Sequence, residues 1–199
     1  MTAAEHIAQE GRLPPVIGTA SGGRFHVLDP RVSEVRIEDI AHHLSLICRY
    51  TGATSALWSV AAHCLEVSRR VQEHFGGSVY EQLCGLLHDA SEAYLVDVPS
   101  PFKPDVVIDG ELYRGVERRV QVTIFHAVGL PYREPPIVKQ VDAEMIYDEV
   151  ANFFSPGFMW ERYAINRPKH NLMPLPPFIA KDNYLQRFTE LRDAYRRTL

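Results

Sequence analysis

The stretch Leu83-Cys84-Gly85-Leu86-Leu87-His88-Asp89-Ala90-Ser91-Glu92-Ala93 is an apolar run with an imidazole and two carboxylates set inside it. Ionisable groups are costly to bury unless partners repay the lost hydration. The run therefore predicts a core helix whose polar residues meet others from neighbouring helices. His63 upstream and Asp142 downstream are of the right type. Two imidazoles and two carboxylates would hold a divalent cation and leave coordination positions open for water and substrate.

Working outward, the pattern is helical on both sides. Ile37, Ile40, Ala41, Leu44, Ile47 and Cys48 recur at helical spacing and predict a helix over 37–48, with Glu38 and Asp39 suited to its N-terminal turn. Ser59 is placed to cap a second helix, which carries His63 and ends at Gly76-Gly77. A third helix is expected from about Val79 to Tyr94, stopped by Val98-Pro99-Ser100-Pro101. A fourth is expected over Gly110 to Val128, with Val116, Val120, Ile124 and Ala127 inward and Gly129 and Pro131 closing it. The fifth, from about Ile137 to Phe153, bears Asp142.

The ends read differently. The first 36 residues are rich in Gly and Pro, and Arg24-Phe25-His26-Val27-Leu28 suits a strand or hairpin arm. Between Ser155 and Phe178 lie five prolines and several aromatics, the composition of an ordered flap or packing arm. The last 19 residues return to helical spacing at Tyr184, Phe188, Leu191 and Tyr195. That helix would dock on its own domain or serve a subunit interface. The expected fold is all-α: one bundle domain over 1–199, with its core at about 37–150, an irregular or β arm at 1–36 and an extension at 151–199.

Composition narrows the functional classes. A length of 199 residues suits one domain, and a formal charge of -4 gives no global field for nucleic-acid polymers or anionic membranes. Cys48, Cys64 and Cys84 are odd in number and lie in apolar surroundings, as reduced core thiols of a cytoplasmic protein would. Met1-Thr2-Ala3-Ala4-Glu5-His6 lacks the pattern of a secretory signal, and no stretch approaches 18 apolar residues.

In the third helix, His88 and Glu92 are four residues apart and Asp89 and Glu92 three apart, so the three side chains can converge near one end of it. Asp97 follows just past the helix. His42 and His43 are adjacent and point in different directions, so both are left outside the ligand set, with His42 the better reserve. Lys103, in Pro101-Phe102-Lys103-Pro104, is a candidate contact for a polyphosphate beside its reading as a surface lysine.

Leu-Leu-His-Asp-Ala-Ser-Glu-Ala-Tyr, together with His63 and Asp142, resembles the HD-domain superfamily of metal-dependent phosphohydrolases over roughly residues 37–150. Asp39 to Gly52 with Trp58-Ser59-Val60-Ala61-Ala62-His63 is similar to small HD hydrolases related to bacterial 5'-deoxynucleotidases and phage dATP triphosphohydrolases. The resemblance implies metal ligands at His63, His88, Asp89 and Asp142. It implies an acid/base carboxylate at Glu92, a nucleotide-side carboxylate at Asp97 and a phosphate-binding arginine at Arg49. Tyr50 stands where the deoxynucleotidases carry Trp.

The implied activity is cleavage of the 5' phosphate ester of a nucleotide, releasing phosphate from a monophosphate or triphosphate from a dNTP. The implied cofactor is one divalent ion, Mn, Co, Fe, Ni or Zn, with room for a second, weak Mg ion on substrate phosphates. By analogy the protein would be at least a homodimer. Two other readings share the residues: a non-catalytic sensor of metal and nucleotide, and a helical protein whose His-Asp cluster is a buried ion pair.

Overall fold

Arg24–His26 does form a strand. In the computed structural model, which describes residues 15–163 and 170–199, β1 (Val16–Gly18) pairs antiparallel with β2 (Arg24–His26). Met1 to His6, and Pro168 within the Pro-rich segment, lie outside the described residues. Phe25 of β2 is fully buried and stacks on Tyr94 with ring centroids 3.7 Å apart, so the hairpin is bound to the helical core. Its loop is tied down by Asp39, whose carboxylate accepts from Ser21 N at 2.7 Å and Ser21 Oγ at 2.8 Å.

The rest is helical: α1 (Ile37–Leu46), α2 (Val60–Glu73), α3 (Val79–Leu87), α4 (Glu92–Leu95), α5 (Tyr113–Ala127), α6 (Pro136–Phe153), α7 (Phe158–Tyr163) and α8 (Pro177–Arg196). Ser59 caps α2 by accepting from Ala62 N at 3.2 Å. Ser78 and Glu81 form a reciprocal box at the start of α3, satisfying two orphan donors there. A two-stranded hairpin, β3 (Val107–Ile108) and β4 (Glu111–Leu112), occupies part of the fourth predicted helix. Its cause is Asp109-Gly110, both at positive φ (52° and 84°), a pairing that favours a tight hairpin turn.

Two boundaries depart from expectation for reasons that matter to the site. α1 stops at Leu46 because Ile47 and Cys48 are extended and pair with the strand-like residues before α2. Val60 N donates to Ile47 O at 3.0 Å and Arg49 N to Trp58 O at 2.9 Å. This bridge sets Arg49 beside the first turn of α2.

The third predicted helix is broken. α3 ends at Leu87, a turn with i to i−3 bonds covers His88 to Ser91, and α4 follows. An unbroken helix would bond Ser91 N to Leu87 O. Instead the Gln121 amide of α5 sits between them: its Nε2 donates to Leu87 O, and its Oε1 accepts from Ser91 N at 2.9 Å. One side chain replaces the missing rung, so the turn that carries His88 and Asp89 leaves neither Leu87 O nor Ser91 N unpaired.

The core is shared by α1, α2, α3, α5, α6 and α8 around one hydrophobic cluster. Leu83, Leu86 and Leu87 are fully buried, and each such side chain contributes about 1.5–3 kcal/mol. Gly85 lets α3 lie against α2: an added Cβ would stand 3.3 Å from Ser68 Cα. The C-terminal helix docks on its own core. Tyr184 Oη donates to Leu86 O at 2.9 Å, and Arg187 donates to Gln72 and Gln82, each at 2.9 Å.

Candidate metal centre

His63 projects from α2, His88 and Asp89 from the turn after α3, and Asp142 from α6. His63 Nε2 lies 3.2 Å from His88 Nε2, 3.0 Å from Asp142 Oδ1 and 3.9 Å from Asp89 Oδ2. His88 Nε2 lies 3.2 Å from Asp89 Oδ2 and 3.6 Å from Asp142 Oδ1. Donors each about 2.0–2.2 Å from a shared ion would stand at such separations. The His/Asp/Cys cluster could thus hold a metal ion, with His63, His88 and Asp142 as one group and Cys64, His88 and Asp89 as an overlapping one. Cys64, expected as core packing, is fully buried and adjoins the centre.

The other ring nitrogens are committed. His88 Nδ1 donates to Gly85 O at 2.8 Å, and His63 Nδ1 donates to Glu149 Oε1 at 2.6 Å. Each bond fixes the tautomer that leaves an Nε2 lone pair facing the centre. Glu149 was not singled out from the sequence. It is wholly buried and accepts from Trp58 Nε1 at 2.8 Å, from Tyr50 Oη and from Arg49 Nη2 at 3.3 Å. The available signal was its position two helical turns after Asp142, on the same face of α6.

The local field favours positive charge. Burial works to raise the carboxyl of Asp89, but His88 beside it brings it down to about 2. Burial likewise opposes ionisation of Asp142, and hydrogen bonds from His63 and His88 hold it well below the carboxylate range. Burial lowers both imidazoles, yet Glu149 and Asp142 lift His63, and Asp89 lifts His88, above the ordinary value. A proton on either Nε2 would compete with a divalent cation for the same lone pair.

Glu92 is 2% exposed, and its Oε2 is buried without a partner. Burial first, then Asp89 and Asp97, push its carboxyl well above the usual range. Burial also raises Asp97, with Arg49 opposing and Asp89 reinforcing. Arg49 reaches Asp89 Oδ2 at 3.5 Å, and its Nε is unpartnered.

Arg49, Tyr50 and Asp97 line a cleft of about 790 Å³, together with Phe102 and residues of α7. Lys103 is not among its lining residues. Its ammonium pairs with Glu117 at 2.8 Å and reaches Glu92 at 3.5 Å. A smaller cavity of about 200 Å³ touches His88, Asp142 and Gln121. His43 serves packing: its Nδ1 donates to Ala93 O at 2.8 Å and its Nε2 accepts from Ala20 N at 3.2 Å. His42 belongs to neither metal-capable group found among the described residues.

Backbone strain collects at the cleft. Tyr50 and Thr51 have φ of 55° and 52°, and Val96 has φ 63° and ψ 163°. Non-glycine residues in such regions persist where surrounding contacts over-determine them, as at ligand sites.

No helix among the described residues is long and apolar enough to cross a membrane. No family model matches the chain. It is 32% identical over 143 residues to the uncharacterized protein RCAP_rcc00048 of Rhodobacter capsulatus, covering 67% of this chain and 71% of that protein. It is 31% identical over 183 residues to the uncharacterized protein YfdR of Escherichia coli (strain K12), covering 89% of this chain and 96% of the relative. With a site drawn from residues 49 to 149 inside that near full-length match, the chain belongs to the YfdR family.

Proposed function

We propose that this protein is an HD-type metal-dependent phosphohydrolase that cleaves the 5' phosphate ester of nucleotides, either as a 5'-deoxynucleotidase or as a dNTP triphosphohydrolase. The observation that carries the reading is the meeting of two Nε2 lone pairs and two carboxylates from three separate segments, with both Nδ1 atoms tied back. A mixed nitrogen and oxygen set fits Mn, Co, Fe, Ni or Zn. Such an ion, when bound, acidifies water and polarises a phosphate oxygen.

The remaining work falls to the chain's own side chains. Glu92 is buried, has a free oxygen and carries a raised pKa, so it suits exchange of a proton with water or with the leaving oxygen. Lys103 holds the other Glu92 oxygen, which favours a positioning role over contact with phosphate. Arg49 lines the cleft and has only long bonds to Asp89 and Glu149, so its guanidinium keeps N–H donors for phosphate. Tyr50 commits its hydroxyl to Glu149, so its ring is what it offers the cleft. Asp97, in that cleft, can accept a hydrogen bond from a sugar hydroxyl.

The test is turnover of dNMPs and dNTPs by the purified protein with Mn or Co, combined with metal analysis of variants. His63→Ala and Asp89→Ala should lose both metal and turnover, while Glu92→Ala should keep metal and lose about 100-fold or more in rate. Turnover of neither substrate class overturns the proposal, and equal metal loss in all three variants overturns the division of roles between the ligands and Glu92. Tight nucleotide binding without product would put the sensor reading in its place.

A further inference from the structure

We infer that α7 is a base-recognising wall of the cleft, taking the aromatic heterocycle of a nucleotide whose phosphate reaches the metal centre. The phosphate end of this inference rests on the function proposed above. α7 lies in the extension past residue 150, outside the region of HD resemblance, and the cleft brings it together with Arg49, Tyr50 and Asp97.

The cleft is of a size that takes drug-sized ligands, and its chemistry selects among them. Tyr50, Phe102, Phe154, Phe158 and Tyr163 give it ring surfaces from four different segments. Phe102 and Phe158 are 63% and 70% exposed, an uneconomical placement for two phenyl rings unless something flat covers them. Arg162 adds a guanidinium, which lies 5.6 Å from the Tyr163 ring centroid. Rings interleaved with guanidinium groups recognise nucleobases by stacking and cation–π contact. Arg49 supplies the direction, because the cation that lines the cleft also touches the metal-facing Asp89.

The wall is braced from behind. Trp160 Nε1 donates to Phe154 O at 2.8 Å, pinning α7 to the residue that follows α6. Tyr163 meets Tyr147 of α6 edge to face at 5.9 Å. Phe158, Met159, Arg162 and Tyr163 are thereby held toward the cleft. An acyl chain would find Arg162 and Asp97 unsolvated there, and a bare sugar phosphate would leave the rings uncovered.

The experiment is calorimetric titration of the full-length protein, loaded with Mn and carrying Glu92→Gln to suppress turnover. The ligands are a deoxynucleoside monophosphate, the matching deoxynucleoside and 2-deoxyribose 5-phosphate. The monophosphate should bind at least about tenfold more tightly than the sugar phosphate. Phe158→Ala with Arg162→Ala, both at exposed positions, should erase that advantage and shift the sugar phosphate by less than about twofold, with the far-UV spectrum unchanged. Equal weakening of both ligands, or no weakening of the nucleotide, overturns the inference. If the deoxynucleoside binds as tightly as its monophosphate and α7 still controls it, the cleft assignment stands and the phosphohydrolase reading falls.

Discussion

Glu149 and His63 meet at 2.6 Å through the Nδ1 face of the ring, while Asp142 approaches the Nε2 face at 3.0 Å. Two acids set two turns apart on α6 thus grip one imidazole from both sides: one orients it and the other shares its Nε2 edge. Replacing Glu149 with Gln sets an amide N–H₂ against Arg49 and Tyr50, which are donors already. Glu149→Gln should lower metal affinity by about 10–100-fold, measured by competition with a chromophoric chelator. An affinity within twofold of wild type would remove the orienting role.

Gln121 spans the gap between Leu87 O and Ser91 N. Gln121→Leu keeps the bulk but strands the buried N–H of Ser91, at a cost of about 1–3 kcal/mol, and leaves Leu87 O with its bond from Ala90 N at 3.0 Å. Urea unfolding should show that loss, and metal binding should weaken because the turn carrying His88 and Asp89 is no longer held. Retained stability with retained metal affinity would show that the turn sustains itself.

Val96 holds a backbone conformation that glycine adopts freely, and its side chain is 60% exposed, so little packing depends on it. It lies between α4, which carries Glu92, and Asp97. Val96→Gly should stabilise the protein by about 1–3 kcal/mol of relieved strain, less the added freedom of the unfolded chain. Turnover should fall as Asp97 loses its fixed direction. A denaturation midpoint that drops would contradict this.

Asp39 anchors the N-terminal hairpin. Burial raises its pKa, but hydrogen bonds from Ser21 and Thr19 and the nearby His43 outweigh this and leave it below its ordinary 3.8. A carboxyl depressed on folding contributes stability above its unfolded pKa and loses it as pH falls through the folded one. The stability difference between wild type and Asp39→Asn should therefore be constant above about pH 5 and shrink as pH falls past 3.8. Amide exchange of β1 and β2 across that range measures it, and a pH-independent difference would refute the linkage.

Sequence periodicity was enough for the helices that bury one continuous face. α2, with its Ser59 cap, and α6 begin within a residue of where spacing and capping place them, because local hydrogen bonding and amphipathicity act along the chain itself. The ligand candidates were legible for a related reason: a histidine and carboxylates inside an apolar run demand partners. The hairpin before α5 was hidden by a helical pattern that starts only three residues after Gly110.

What the chain alone determined, then, is which residue types are available and which faces are apolar. Tertiary structure decided the rest. The break after Leu87 needs an amide from Gln121, 34 residues away, and the orientation of His63 needs a carboxylate 86 residues away. A short bridge between Cys48 and Ser59 is what carries Arg49 to Asp89. Such contacts leave no periodic trace, because a hydrogen bond between distant segments depends on where packing brings them and not on their local spacing.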